Sequence, residues 1–210
     1  MSSIINTSNN VFAISMARLK SDDLDNYLKI QFDAFLEKIM PVFGNNKEAA
    51  LNIIRSEILR NINNRGRYVA RLENKTVGIV EIITRENIKG YVRDFRSYIK
   101  YLGFLKGLWA FIITAIEIPR LNSGTIYIDT VAVESNHRRK GVAEKMLLFI
   151  EDFARKNGKS ALTLWVAAKN SKAFSLYKKS GFSAVIKRSS SIMEKYTGYR
   201  DWIYMKKEIT

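Results

Sequence analysis

The chain has 210 residues, 47% hydrophobic and 26% charged, enough for one domain with a full core and barely enough for two. It has no cysteine and one histidine, His137, which excludes disulfides, thiolate metal sites and an enzyme-thiol mechanism, and makes metal or Ser/His/Asp chemistry a poor fit. Lys and Arg outnumber Asp and Glu by 35 to 20, and the net charge of +15 attracts polyanions such as nucleotides, nucleic acid, anionic lipid or acidic protein.

Two prolines, no repeat and no low-complexity stretch make residues 1–210 a single expected domain. The start, Met1-Ser2-Ser3-Ile4, lacks the basic-then-apolar pattern of a secretory leader. The long apolar run 101–118 is interrupted by Lys106 and Glu117. No membrane span is expected from it, and the protein reads as cytoplasmic.

Residues 11–19 alternate loosely and predict a first strand. Ser21 is placed to cap the helix that follows, with Asp22 and Asp23 at its positive end. Leu24, Leu28, Phe32, Phe35, Leu36 and Ile39 give that helix an apolar face, which Pro41 and Gly44 end. Residues 46–60 predict a second helix with Ala50, Leu51, Ile54 and Ile58 inward. Strands at 67–72 and 76–83 form an antiparallel hairpin around the polar turn 73–75. Residues 87–124, basic first and then apolar, predict an inserted helical segment. A strand at 126–133 follows, then a helix marked by Val142, Met146, Ile150 and Phe153 that ends near Gly158. A strand at 161–166, a helix at 170–180 and strands at 182–187 and 202–206 complete the chain. This alternation predicts an α/β (α+β) fold, a mixed sheet with helices on both faces.

Two segments carry the chemistry. Residues 126–133 run into Glu134, Ser135 and Asn136, and then into His137, Arg138, Arg139, Lys140, Gly141, Val142 and Ala143 at a helix start. The first amides of a helix have no internal acceptors and sit at its positive end, so such a turn can hold phosphate oxygens. Gly141 lets a ligand approach the backbone, and three cations precede it. An ordinary strand-to-helix turn with solvated cations is the competing reading. A P-loop is excluded because no earlier glycine is present, and a dinucleotide fingerprint because Gly141 stands alone. In residues 170–182, Asn170 is a good helix cap, Ala173, Leu176 and Tyr177 share a face, and Gly181 ends the helix. Taken alone, Tyr177 reads as a packed aromatic.

Together the segments resemble the GNAT superfamily of acetyl-CoA-dependent N-acetyltransferases. Its pyrophosphate loop, Gln/Arg-x-x-Gly-x-Gly/Ala, is matched by Arg138, Gly141 and Ala143. Its second motif, Asn-x-x-Ala-x-x-Leu-Tyr-x-x-x-Gly-Phe, is matched by Asn170, Ala173, Leu176, Tyr177, Gly181 and Phe182. The resemblance implies a mixed, mostly antiparallel GNAT-type sheet, acetyl-CoA as acyl donor and no metal. It implies a pantetheine arm along the strand edge at Val131, Ala132 and Val133. The pyrophosphate would lie beside Arg138, on the amides of Arg139, Lys140, Gly141, Val142, Ala143 and Glu144. Asn170 and Ala173 would line the thioester end, and Tyr177 would protonate or hydrogen-bond the departing thiolate. A thiol pKa of about 8.5 against a phenol at about 10 makes that role chemically sensible.

The sequence also departs from the family. Where ribosomal-protein N-terminal acetyltransferases carry a glutamate base this chain has Trp165, and where other members carry one it has Tyr127. The base is then sought in Asp129, Glu134 or Glu81, directly or through water. Asp129 is the first choice because strict alternation puts it on one strand face with Val131 and Val133, with a structural aspartate as the competing reading. Within 87–124, Phe104, Leu105, Leu108, Trp109, Phe111, Ile112, Ile113, Ile116 and Ile118 exceed a narrow apolar stripe. A lid over the acceptor or a homodimer contact is preferred there to a membrane-surface helix or a helix packed on the sheet. The expected activity is acetyl transfer from acetyl-CoA to an amine by direct attack in a ternary complex. The acceptor stays open among a peptide or protein N-terminus, a lysine and a small amine. A catalytically silent acyl-CoA-binding module is the alternative. Nucleic acid is not an expected partner, since no stacking motif or reader module is present.

Overall fold

The computed structural model describes residues 14–63, 66–88, 94–116 and 121–210. Residues 11–13 of the expected first strand, and 89–93 and 117–120 of the expected insertion, lie outside the described residues. Local signals set most element ends. Glu73 and Asn74, both left-handed at φ 48° and 66°, join β2 (Gly66–Leu72) to β3 (Lys75–Ile83) in a two-residue hairpin. Left-handed turn residues match the twist of the flanking strands. β1 (Ser15–Arg18) pairs with the other edge of β2.

The start of α1 (Leu24–Ile39) differs from expectation. Residues 21–23 form a 3-10 turn, and Asp23 rather than Ser21 precedes the helix. Asp23 accepts from Arg71 Nη2 at 2.6 Å and Thr76 Oγ1 at 3.0 Å, which ties the helix start to the hairpin. Burial works against its charge, yet bonds from Arg71 and Thr76 hold the carboxyl below its usual range. Gly44, left-handed at φ 59°, ends the turn 40–43 beyond α1. Asn46 Oδ1 then caps α2 (Lys47–Arg60) through Ala49 N at 3.0 Å.

The remaining elements are α3 (Phe95–Leu102), α4 (Phe104–Ile116), β4 (Thr125–Val133), α5 (Val142–Lys156), β5 (Ala161–Ala167), α6 (Ser171–Lys179), β6 (Ser183–Ser189), α7 (Ser191–Thr197) and β7 (Asp201–Glu208). The sheet runs β1-β2-β3-β4-β5-β7-β6, parallel only between β4 and β5. Nothing in the apolar periodicity predicts α7. It is set by its caps, Ser190 Oγ on Met193 N at 3.2 Å and left-handed Gly198.

Each face has its own core. On one, Val142, Met146 and Ile150 of α5 and Tyr177 of α6 pack against Val80, Ile82, Ile126, Ile128, Leu162 and Leu164. On the other, Tyr27 and Leu28 of α1 and Ile58 of α2 pack against Val69, Ile79 and Ala132. A third cluster joins Tyr98 of α3 and Ala110 of α4 to Phe32, Phe43, Ala50 and Ile53. The α3–α4 pair therefore packs on α2 and the turn beyond α1, not on the sheet. Tyr98 and Ala110 are fully buried, so the pair is interior as well as covering. Gly107 permits the close crossing, because a Cβ there would stand 2.7 Å from Tyr98 O. The surplus apolar residues explain themselves by facing both ways: Phe104 and Leu105 are 64% and 80% exposed, with Trp109 and Ile112 also outward.

Candidate active site at the strand splay

The parallel pairing of β4 with β5 runs only from Thr125–Ala161 to Tyr127–Thr163, while both strands continue beyond it. From Asp129 to Val133 the β5-facing edge of β4 has no strand partner among the described residues, and a cleft opens between the two strands. A bulge sits at the same place. Glu81 pairs with Thr130 and Ile82 with Ile128, so Asp129 is the extra residue. The bulge shifts the alternation of β4. Ile126 and Ile128 before it, and Val131 and Val133 after it, all join the α5-side core. Asp129 and Thr130 instead line a cavity on the α1 side. The expectation that Asp129 shares a face with Val131 and Val133 is corrected, because strict alternation fails where one strand carries an extra residue.

At the outer end of the cleft, residues 135–137 make one 3-10 turn and Arg139 and Gly141 are left-handed at φ 63° and 76°. The first backbone bond into α5 is Lys145 N to Gly141 O at 3.0 Å. The amides from Arg139 to Glu144 have no hydrogen-bond acceptor among the described residues. They form a donor concavity at the positive end of a helix, with Arg138, Arg139, Lys140 and Gly141 exposed around it and Val142 buried beneath. A Cβ on Gly141 would meet nothing within 4 Å, so glycine is needed for its φ, and the space above it is open to a ligand. Arg138 folds back to donate from Nε to Val133 O at 3.1 Å. A diphosphate and an extended chain fit this edge: donors at the helix start, then a strand edge through Val133, whose carbonyl Arg138 holds, Ala132 and Val131 that has no strand partner among the described residues.

The second motif builds α6. Asn170 Oδ1 accepts from Ala173 N at 3.1 Å, capping α6 as its residue type predicts. Ala173 packs against the α5-side core, where Tyr177 is 9% exposed and meets Phe182 edge-on at 5.7 Å. The Tyr177 hydroxyl has no hydrogen-bond partner among the described residues, and burial pushes its pKa up to about 12.

The three acids considered as bases have different surroundings. Glu81 is 3% exposed and ion-paired to equally buried Arg67 at 2.9 Å, with the Tyr27 hydroxyl donating to it at 3.4 Å. Burial and Glu81 push the Tyr27 pKa well above its ordinary value. Glu134 lies at the end of β4 between Lys29 (3.5 Å), Lys75 (3.7 Å) and His137 (3.0 Å). Burial opposes its charge, but Lys75, Lys29 and His137 hold its pKa below the usual range. Asp129 is exposed at the splay and accepts from Thr130 Oγ1 at 3.2 Å. The cavity beside it, about 140 Å³, is walled by Phe35 and Lys38 of α1, Phe43, Ile58, Arg67, Glu81 and Thr114 of α4. Arg67, Tyr27 and Lys38 carry no motif and were not singled out from sequence. No group of three His, Cys, Asp or Glu side chains among the described residues is placed to hold a metal ion.

Comparison with known proteins agrees with this geometry. Residues 32–182 match the profile of the Acetyltransferase (GNAT) family. Over 130 residues the chain is 29% identical to "Uncharacterized N-acetyltransferase YobR" of Bacillus subtilis (strain 168), covering 60% of this chain. The chain spans only about half, 53%, of that relative. Among solved structures, an acetyltransferase crystal structure superposes at TM-score 0.64 with 17% identity, over 93% of this chain and all (100%) of the other. The putative acetyltransferase yncA of Salmonella typhimurium, solved with its cofactor acetyl-CoA, superposes at 0.62 with 15% identity, covering 94% of each chain. At such identities the superpositions establish the fold.

Proposed function

The chain belongs to the acetyltransferase (GNAT) family, and from that premise we propose that it transfers acetyl from acetyl-CoA to a primary amine by direct attack in a ternary complex. The observation that carries the reading is the run of amides from Arg139 to Glu144 without acceptors among the described residues, continuous with the β4 edge at Val131, Ala132 and Val133 beyond its pairing with β5. In this reading the diphosphate sits on those amides, the pantetheine arm follows that edge, and the thioester lies at the splay near Asn170, Ala173 and Tyr177. The chain acts as one transferase domain into which the α3–α4 hairpin is inserted.

The neutral amine attacks the thioester carbonyl from the α1 side. A C–N bond forms, the C–S bond breaks, and one proton must leave the nitrogen. Asp129 is the acceptor of that proton, directly or through water, because it is exposed at the splay while Glu81 is buried against Arg67 and Glu134 lies among Lys29, Lys75 and His137. Tyr177 serves the leaving group. At about 12 its phenol is a much weaker acid than a thiol at about 8.5. Full proton transfer to the thiolate would run uphill by roughly 3.5 pKa units, about 5 kcal/mol. Tyr177 therefore acts as a hydrogen-bond donor to the developing thiolate, and the amine proton ends on the sulfur by way of Asp129 or solvent.

Trp165, standing where relatives carry a glutamate, favours a second reading, a silent acyl-CoA-binding module. Calorimetry with acetyl-CoA and thiol release with an amine panel separate the two. Transfer requires both binding and amine-dependent thiol release, while a silent module binds and releases nothing. In Gly141→Glu a carboxylate meets the diphosphate on a left-handed residue, and acetyl-CoA affinity should fall about 100-fold, near 2.7 kcal/mol. Undiminished affinity in a folded Gly141→Glu variant would move the cofactor elsewhere.

A further inference from the structure

On the α1 side of the splay, charge changes sign along the cleft. At the inner end stands exposed Asp129, in a cavity whose wall also holds the buried Glu81–Arg67 pair. Asp129 on β4 and Trp165 on β5 each lie two residues beyond the last β4–β5 pair, Tyr127–Thr163, on opposite arms of the splay. Leu162, Leu164 and Val166 belong to the α5-side core, which leaves Trp165 on the α1 side. Trp165 is paired with Tyr204, their rings 5.1 Å apart, and Trp202 follows two residues earlier on β7. Both tryptophans are half-buried, and each carries a cation over its ring. Arg188 lies 5.7 Å above Trp165 and Lys38 5.5 Å above Trp202. Lys38 also lines the cavity, and its ammonium over Trp202 links the aromatic wall to the cavity rim.

We propose that the acceptor is a primary amine carried on a planar apolar body with an anionic group at its far end. This rests on the acetyltransferase reading above. The indole and phenol rings offer stacking area to a planar group. A guanidinium stacked on an indole keeps its N–H edge free, so Arg188 can bind an anion without leaving its ring. Lys38 and Arg188 repel the acceptor's ammonium from the wall, and Asp129 attracts it to the thioester, so the two charges orient the molecule before reaction. An aliphatic diamine would place its second ammonium against both cations. A cavity of about 140 Å³ at the acid end has room for one aromatic ring with its aminomethyl group at most, so a longer body extends onto the aromatic wall.

Initial rates of thiol release with 4-(aminomethyl)benzoate, benzylamine, 1,4-diaminobutane and an unblocked tetrapeptide test this directly. The carboxylated aryl amine should have the highest kcat/KM, about tenfold above benzylamine, with the diamine lowest. Arg188→Glu, at an exposed position, should bring the ratio of the two aryl amines to about one, and Arg188→Gln should give a smaller loss. Trp165→Ala should raise KM for both aryl amines. Circular dichroism melts check that each variant is folded. A preference for the diamine or the peptide, or an aryl-amine ratio that Arg188→Glu leaves untouched, overturns the acceptor class while acetyl transfer stands. Intact acetyl-CoA binding with no thiol release from any amine would instead overturn the transferase reading beneath it.

Discussion

The two ends of the cleft are built in opposite ways. The proposed donor end is backbone: contiguous amides from Arg139 to Glu144, without acceptors among the described residues, in a turn that needs one glycine for its φ. The proposed acceptor end is side chain: Lys38, Arg67, Glu81, Asp129 and Thr114 arrive from α1, β2, β3, β4 and α4, and Arg67 is already paired with Glu81. A backbone site tolerates change at most of its side chains, so its sequence pattern is short and shared. A site assembled from five elements leaves no pattern along the chain, and its specificity belongs to this protein.

Substitutions sharpen that contrast. The largest effect is expected at the buried pair. Arg67→Ala would leave Glu81 charged and unpaired at 3% exposure, a cost of about 3–5 kcal/mol in denaturant unfolding. Arg67→Met with Glu81→Leu should recover most of that loss; failure to recover it would mean that the pair is not the origin. Asp129→Asn comes next. Loss of a general base should lower kcat/KM about 100-fold at neutral pH while acetyl-CoA affinity holds, and a loss in affinity instead would place Asp129 in cofactor binding.

At the donor end the glycine separates conformation from space. Gly141→Asn, a residue that tolerates φ 76°, should keep acetyl-CoA affinity within about threefold. Gly141→Val should lower it about tenfold, since strain of about 1–2 kcal/mol falls on the turn. Equal losses in both would point to crowding by the side chain.

The smallest effect concerns Glu134, whose folded pKa lies below its ordinary 4.5. A depressed folded pKa contributes stability above the unfolded value and loses it as pH falls through the folded one. Melting temperature should therefore drop on acidification below about pH 4.5, and Glu134→Gln should flatten part of that limb. An unchanged acid limb would remove Glu134 as a brace of the phosphate turn.

Much of the fold was legible because its signals are local. The caps at Asn46 and Asn170, the Glu73–Asn74 turn and the apolar rhythm of α5 each act within a few residues. Ser21 was misread because Asp23 gains partners in Arg71 and Thr76 that only the folded hairpin supplies. The segment α7 has caps but little apolar rhythm, and those caps were its only signal. The bulge at Asp129 depends on register against β3, so the run from Ile126 to Val133 gave no sign that its alternation breaks. The aromatic wall was half visible. Trp202 and Tyr204 alternate along β7, but their meeting with Trp165 and Lys38 is a matter of topology.

Rapid-quench single turnover tests the central claim most directly. Protein loaded with acetyl-CoA is mixed with an amine, and free thiol and acetylated amine are followed together. Both should appear at one rate and in equal amounts, with no acetyl group left on the chain. Tyr177→Phe should slow both about 100-fold with acetyl-CoA affinity changed no more than about twofold, because one donor to the leaving sulfur is lost. Thiol released without amine, acetyl retained on the protein, or an unaltered rate in Tyr177→Phe would contradict direct transfer at the strand splay.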